Sequence, residues 1–206
     1  MSKRAVLTLL ALVLCTGAAY AGNITGKIQW KRPNGASQPG PTKDKIVVWL
    51  ETEQETQPPA IPLTIEQKNL QFLPDFVIAV KGQKIDMPND DDVAHNVYSY
   101  SQNSKFNLGL YPKGESRSLT FDRPGVVEIF CSIHRYMHVR VFVVPTPYFA
   151  VAGSAGTFTI ANVPAGNYTL KVWTDRARMF STQVSIPKTG TASSAVLLEA
   201  PGGTEK

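Results

Sequence analysis

The sequence predicts an all-β protein. Short β-branched and aromatic runs alternate with turn residues along the chain, several of them place apolar side chains at every second position, and no segment beyond residue 21 keeps a helical period. Many short strands at such spacing indicate a sandwich or a barrel.

Residues 1–21 stand apart from this pattern. Met1-Ser2-Lys3-Arg4 is a short basic start, Ala5 to Ala19 carries no charge, and Ala19-Tyr20-Ala21 is a small-x-small cleavage site. This is the pattern of a secretory signal peptide, too short and wrongly flanked to span a membrane, and it places the mature N-terminus at Gly22 and the protein in a bacterial periplasm. Lipid attachment at Cys15 fits less well, because Leu14 is bulky where a small residue is needed. No other segment approaches the roughly 20 apolar residues of a span.

The expected strands follow in order: Ile24–Lys31, Lys45–Glu51, Phe72–Val80, Lys84–Met87, Val93–Tyr100, Ser116–Phe121, Gly125–Cys131, His138–Pro145, Gly156–Ala161, Tyr168–Thr174 and Phe180–Ile186. Pro33 to Pro41 and Thr52 to Pro62 read as loops, the first rich in Pro and Gly, the second polar with three prolines. Val163-Pro164-Ala165-Gly166 has the residues of a type I turn and predicts a hairpin between the strands on either side. The Gly-Gly segment in residues 200–206 reads as a disordered tail.

Charge and cysteine count narrow the function. Loss of residues 1–21 removes Lys3 and Arg4 and no acid, so the formal net charge falls from +5 to +3. There is no Lys/Arg-rich run of the kind that binds nucleic acid. Of the two cysteines, Cys15 leaves with the leader, and a lone Cys131 in an exported protein calls for an explanation other than a disulfide.

Cys131-Ser132-Ile133-His134-Arg135-Tyr136-Met137 offers one. It holds a thiol, an imidazole and a thioether within one short loop. In Val126 to Cys131, Cys131 shares a strand face with Val127 and Ile129, so it points inward. His95 shares its face with Val93 and Val97 and supplies a second inward imidazole. After the loop, Met137 is in phase with Val139 and Val141, whereas His138 is in phase with Arg140; alternation favours Met137 over His138 as the fourth donor. Two His, one Cys and a Met form the ligand set of a mononuclear blue-copper electron-transfer site. Zinc rarely takes a thioether, and structural zinc wants more Cys or His. A Cys-His nucleophile leaves the Met without a role and has no recognisable partner. With His95, His134 and His138 the only histidines, a second copper centre in the chain lacks ligands.

At these residues the chain resembles the cupredoxin family, and the short Cys-x2-His-x2-Met loop is most similar to amicyanin. Residues 67–150 look like the plastocyanin-like or methylamine-utilisation type, through Met87-Pro88-Asn89, His95-Asn96-Val97, Phe106-Asn107-Leu108-Gly109, Phe121-Asp122-Arg123-Pro124-Gly125 and the ligand loop, all in the expected order. The resemblance implies a Greek-key β-sandwich holding one type 1 copper, with His95, Cys131 and His134 as equatorial ligands and Met137 as the weak axial one. It also implies that Asn96 tethers the two ligand loops, with the Ser132 hydroxyl as its partner. Tyr136 after Arg135 departs from the Phe after Pro usual in amicyanin-like loops, which bears on the surface near His134.

The flanks resemble a second family. Gly156-Thr157-Phe158-Thr159-Ile160 through Tyr168-Thr169-Leu170, together with Ile24 to Ile28 and Ile46 to Glu51, look like a carboxypeptidase-regulatory, transthyretin-like module. The expected organisation is a leader over 1–21, N-terminal strands of a split β module over 22–66, a cupredoxin domain over 67–150, C-terminal strands of the module over 151–199, and the tail. The alternative is that the flanking strands extend one larger domain. The function implied is one-electron transport without catalysis. The partner would be a redox protein with an acidic surface, such as a periplasmic dehydrogenase or a c-type cytochrome, met by Lys105, Lys113, Arg117 and Arg135. Copper delivery without redox turnover, or an interaction module with a vestigial site, are the alternatives.

Overall fold

The computed structural model describes residues 21–31, 37–39, 45–175 and 179–199. The expected leader, apart from Ala21, and the expected tail lie outside the described residues, as does most of the Pro33–Pro41 loop. The described chain is built of strands with no helix among them. In order they are β1 Ala21–Lys31, β2 Ser37–Pro39, β3 Ile46–Glu51, β4 Leu63–Thr64, β5 Glu66–Lys68, β6 Gln71–Leu73, β7 Phe76–Val80, β8 Lys84–Pro88, β9 His95–Ser101 and β10 Ser104–Tyr111. After these come β11 Ser116–Thr120, β12 Gly125–Phe130, β13 His138–Val144, β14 Phe149–Val151, β15 Thr157–Pro164, β16 Gly166–Thr174, β17 Phe180–Ile186 and β18 Thr191–Glu199.

Two cores organise these strands. A five-stranded sheet, β10-β9-β12-β13-β7, faces β11-β8-β4 and the β5-β6 hairpin. Between them lie Val97, Val127, Ile129, Val139 and Val141 from one side and Ile65, Phe72, Ile85 and Met87 from the other. The second core has strands from both ends of the chain. β1 pairs with β15 and, in parallel, with β18, while β3 pairs with β14 and β16, and β16 with β17. Ile24, Ile28, Phe158 and Ile160 meet Val48, Leu50, Leu170 and Val172 there.

A third cluster joins the two. Successive side chains of a strand point to opposite faces. In β3, Ile46, Val48 and Leu50 enter the second core, and Val47 and Trp49 turn the other way, onto Phe142 and Val144 of β13 and Val80 of β7. In β13, Val139, Val141 and Val143 face the first core. Both strands are thus buried on two faces, which is why their sequences read as nearly continuous apolar runs. Polar contacts close the same boundary: the Thr146 hydroxyl donates to the Leu50 carbonyl at 2.6 Å, and Arg140, held within its own sheet by Glu128, pairs across it with Asp175 just after β16.

Several expectations are corrected. The run Phe72–Val80 is two strands, because Pro74 has no N–H to give to a ladder. The strand expected from Val93 starts at His95, and Val93 is exposed in the preceding loop. Residues 104–111, left without a strand by alternation, form β10. Its register against β9 shifts between Asn107 and Leu110, with Gly109 at φ +74, which erases a clean period of two. Val163 to Gly166 does not join a hairpin: β15 pairs with β1 and β16 with β3, so the turn carries the chain from one sheet to the other, and the Tyr168 hydroxyl donates to the Pro164 carbonyl across it at 2.8 Å. The partners that pull these strands apart lie more than a hundred residues earlier, out of reach of local pattern.

Gly156 shows how tightly β1 meets the turn before β15. Its φ is +77, and a Cβ there would stand 2.3 Å from the Ile28 carbonyl oxygen. Gly156→Ala is expected to lose about 3 kcal/mol of stability, seen as a lower denaturant midpoint with an unchanged slope.

Candidate metal centre

The site lies where β9 begins and where β12 gives way to β13. His95 opens β9 and Cys131 follows the last residue of β12. Cys131 and Met137 are both buried in the first core, as their strand phase predicts, and His95 is fully buried beside them. The loop between them is held by its own backbone: Met137 N–H donates to the His134 carbonyl at 3.0 Å, and Cys131 N–H to the Met137 carbonyl at 3.3 Å. His134 therefore turns back toward Cys131 and stays half-buried, while Ile133 and Tyr136 are exposed.

Three donor atoms converge. His95 Nδ1 and His134 Nδ1 are 3.0 Å apart, and Cys131 Sγ lies 3.9 Å from the first and 3.7 Å from the second. All the candidate ligand atoms of this trio fall within 4.8 Å of one another. Two imidazole nitrogens at this separation need a proton or a cation between them. The mixture of thiol sulfur and imidazole nitrogen suits a soft or borderline transition metal and not calcium or magnesium. His138 is not part of this group. Its Nε2 meets Glu128 Oε2 at 2.5 Å on the outer face, and its ring stacks on Phe130.

Asp91 is a contributor that alternation and spacing did not single out. Its Oδ2 lies 2.8 Å from His95 Nε2. This contact assigns the proton to Nε2 and leaves the Nδ1 lone pair free to point at Cys131 and His134. The carboxylate is itself fixed by backbone N–H groups of Asn69 at 2.6 Å and Leu70 at 2.9 Å, both residues having positive φ. Burial disfavours its charge, but the hydrogen bonds from Leu70, His95 and Asn69 outweigh that and hold the carboxyl below its ordinary value. In the sequence, Asp91 is the middle of an acidic run before a His, a common turn composition, and the β5-β6 turn that positions it is distant in the chain.

Around this trio a buried polar group supports the backbone. The Tyr111 hydroxyl donates to the Met87 carbonyl at 2.8 Å and receives Gln67 Nε2 at 2.5 Å. Burial, more than any other cause, pushes Tyr111 up to about 12, so it stays neutral and donating through the physiological range. Asn96 has a different partner from the one the resemblance implies. Its Nδ2 donates to Asn107 Oδ1 at 2.7 Å, an acceptor already aimed by the Gly109 N–H at the β10 bulge. Asn96 Oδ1 is buried without a partner, and Ser132 is exposed, lining a shallow cavity with Asn96 and Asn107.

The expected basic cluster is also redrawn. Lys105 and Arg117 sit on strands, not in a loop. Lys113 pairs with Asp92 at 2.6 Å, and Arg117 pairs with Glu115 at 3.3 Å while its guanidinium lies over the Tyr111 ring. Lys105 and Arg135 keep exposed positions with no ion pair among the described residues.

Comparison with known proteins places residues 59–144 within the family model described as copper binding proteins, plastocyanin/azurin family. No curated protein matches the chain significantly. Among solved structures, a purple cupredoxin from Nitrosopumilus maritimus is similar at 24% identity, over 40% of this chain and 99% of that one, with a TM-score of 0.36. Amicyanin from Paracoccus versutus is similar at 21% identity, over 46% and 97%, with a TM-score of 0.37. A copper-containing nitrite reductase from Thermus scotoductus is similar at 23% identity and a TM-score of 0.39, over 43% of this chain; the match spans a quarter of the reductase, 25% of its length.

Removal of the charge on the His95 support tests its role in the site. Asp91→Asn is expected to weaken copper binding about tenfold or more in competition with a chelator, because an amide cannot accept from His95, Asn69 and Leu70 together.

Proposed function

We propose that this protein is an exported carrier of single electrons with one type 1 copper per chain, a reading supported by the match of residues 59–144 to the model of copper binding proteins, plastocyanin/azurin family. The observation that carries the reading is the convergence of His95 Nδ1, His134 Nδ1 and Cys131 Sγ. In this reading those three residues hold the metal and Met137 is the weak axial donor. Copper supplies a one-electron couple that a mixed thiolate, imidazole and thioether set tolerates in both oxidation states.

The remaining work is done by the chain. The buried strand ends keep Cys131 and Met137 from relaxing toward another geometry, and Asp91 keeps the His95 ring and tautomer fixed. The core side chains exclude water from the sulfur. His134, half-buried, is the part of the trio nearest solvent, and the exposed Ile133, Tyr136 and Leu110 provide an apolar rim at which a redox partner can approach closely. Catalysis within the chain is no part of this reading.

Visible absorption and voltammetry on copper-loaded protein test it. An intense thiolate-to-Cu(II) band with reversible reduction is expected, and Cys131→Ser should abolish the band. Met137→Leu should keep copper bound and raise the potential, since Cu(II) loses a donor that Cu(I) misses less. His138→Ala should change neither, because its imidazole is engaged with Glu128. Tight Cu(I) binding without a band would favour copper delivery instead.

Partner choice follows from the surface. With Lys113 and Arg117 already paired, steering rests on Lys105 and Arg135. Association with an acidic redox partner is expected to slow only modestly, by a few-fold, between low and physiological ionic strength. Stopped-flow kinetics against salt measures this, and a change of several hundred-fold would contradict it.

Export to the periplasm is supported by the tripartite pattern of residues 1–21. The protein recovered from that compartment is expected to begin at Gly22 by mass spectrometry; an intact Met1 or a lipid on Cys15 would refute this.

A further inference from the structure

Away from the metal centre, one sheet of the second core ends at β17, and among the described residues that edge is open. β17 pairs with β16 from Gly166↔Ile186 to Val172↔Phe180 without a break in register, and no described strand pairs with its other side. Its sequence, Phe180-Ser181-Thr182-Gln183-Val184-Ser185-Ile186, has no charged residue, proline or glycine. Natural edges are ordinarily blunted by shortness, charge, proline or a bulge, because their unpaired N–H and C=O groups invite another strand. Other edges of this molecule carry such devices: β14 is only three residues long, β10 has Lys105 and a bulge, and β11 has Arg117. β18 is also uncharged before Glu199, but it begins with Thr, Ala, Ser, Ser and Ala, which offer little apolar surface. β17 is long, regular and unprotected.

The strand itself says what would pair with it. On its inner face Phe180 and Val184 pack against the second core but stay half-buried, and Thr182 between them is exposed. A further strand at this edge would cover them. The sequence of β17 also reads alike in both directions. On either side of Gln183 stand the β-branched Thr182 and Val184, then Ser181 and Ser185, then the apolar Phe180 and Ile186. When two copies of β17 pair antiparallel about Gln183, Thr182 lies opposite Val184 of the second copy on the inner face, and Ser181 lies opposite Ser185 of the second copy on the outer face. No like charges are opposed. Even-numbered residues meet even, and odd meet odd, so the outward backbone groups of one copy face those of the other. Such self-complementarity is the condition for a two-fold interface.

We infer that β17 is the edge at which two copies of this chain associate, joining their sheets into one continuous sheet across a two-fold axis. The inference is independent of the redox reading, since β17 packs in the second core and the metal centre lies in the first. Analytical ultracentrifugation of the full-length mature protein is expected to show a reversible monomer–dimer equilibrium. Gln183 is exposed, and its side chain bonds only the exposed Thr169 hydroxyl, so substitution there should leave the fold intact, which circular dichroism checks. Gln183→Lys and Gln183→Glu each oppose like charges at the two-fold axis, and each alone should weaken dimerisation several-fold. Mixed in equal amounts, the two variants should associate more tightly than either does alone. Hydrogen exchange of the unmodified protein gives a second reading: the amides of β17 should gain protection as protein concentration rises, and those of β10 should not. A chain that stays monomeric, a dimer that neither substitution weakens, a mixture that recovers no association, or exchange at β17 that ignores concentration would overturn the proposal.

Discussion

β13 is buried on both faces, and most of the molecule depends on that double burial. Its inward valines complete the first core, and its outward Phe142 and Val144 carry the aromatic contact with Trp49. Met137 precedes it directly, so the end of the ligand loop is fixed by a strand that has no face left to rotate toward water. A one-residue slip of β13 would turn Arg140 into the first core and move Val139, Val141 and Val143 to the opposite face, breaking both packings at once. Register, packing against the flanking strands and the placement of the loop are therefore one constraint. Arg140, the outward polar side chain of this stretch, is tied by Glu128 on β12 and Asp175 beyond β16.

The electrostatics of the site follow from where its backbone comes. Asp91 is held by N–H groups of the β5-β6 turn, so a short hairpin remote from the ligand loop sets the tautomer of His95. Asn89 fixes the same loop from the other side, donating to the carbonyls of Val93 and Tyr111. The ligand loop is thus short and closed by its own backbone, whereas the His95 side is supported by groups spread over three segments. Substitutions in the β5-β6 turn reach His95 without touching Cys131 or Met137.

The site was legible in the sequence where its determinants are local. Cys131, His134 and Met137 stand in one loop, and strand alternation alone turns Cys131 inward and His138 outward. His95 was legible through its phase with Val97, although Val93, used in the same argument, proved to be a loop residue. Asp91 was not legible, since its meaning depends on Asn69 and Leu70 folding against it. The hairpin expected at Val163 to Gly166 failed for a related reason: turn chemistry describes how the chain reverses, and the distant partners β1 and β3 decide that the reversal crosses from one sheet to another. β10 escaped notice because a bulge and a glycine interrupt its period.

The clasp formed by β3 with β14 has an entropic consequence. Trp49 is paired with Phe149, so the two ends of the long segment carrying the first core are pinned side by side. Cys131 is free, and no disulfide among the described residues restricts the unfolded ensemble. When the clasp persists while the inserted segment opens, it limits that ensemble as a covalent bridge around a loop of about 100 residues would, an effect worth roughly 4–5 kcal/mol in the chain-entropy model. The same logarithmic dependence makes length cheap. Doubling a connecting loop such as residues 52–62 adds only about 0.6 kcal/mol. Variation in that loop can thus be accommodated without loosening the metal-bearing core, provided the strands at its base stay paired.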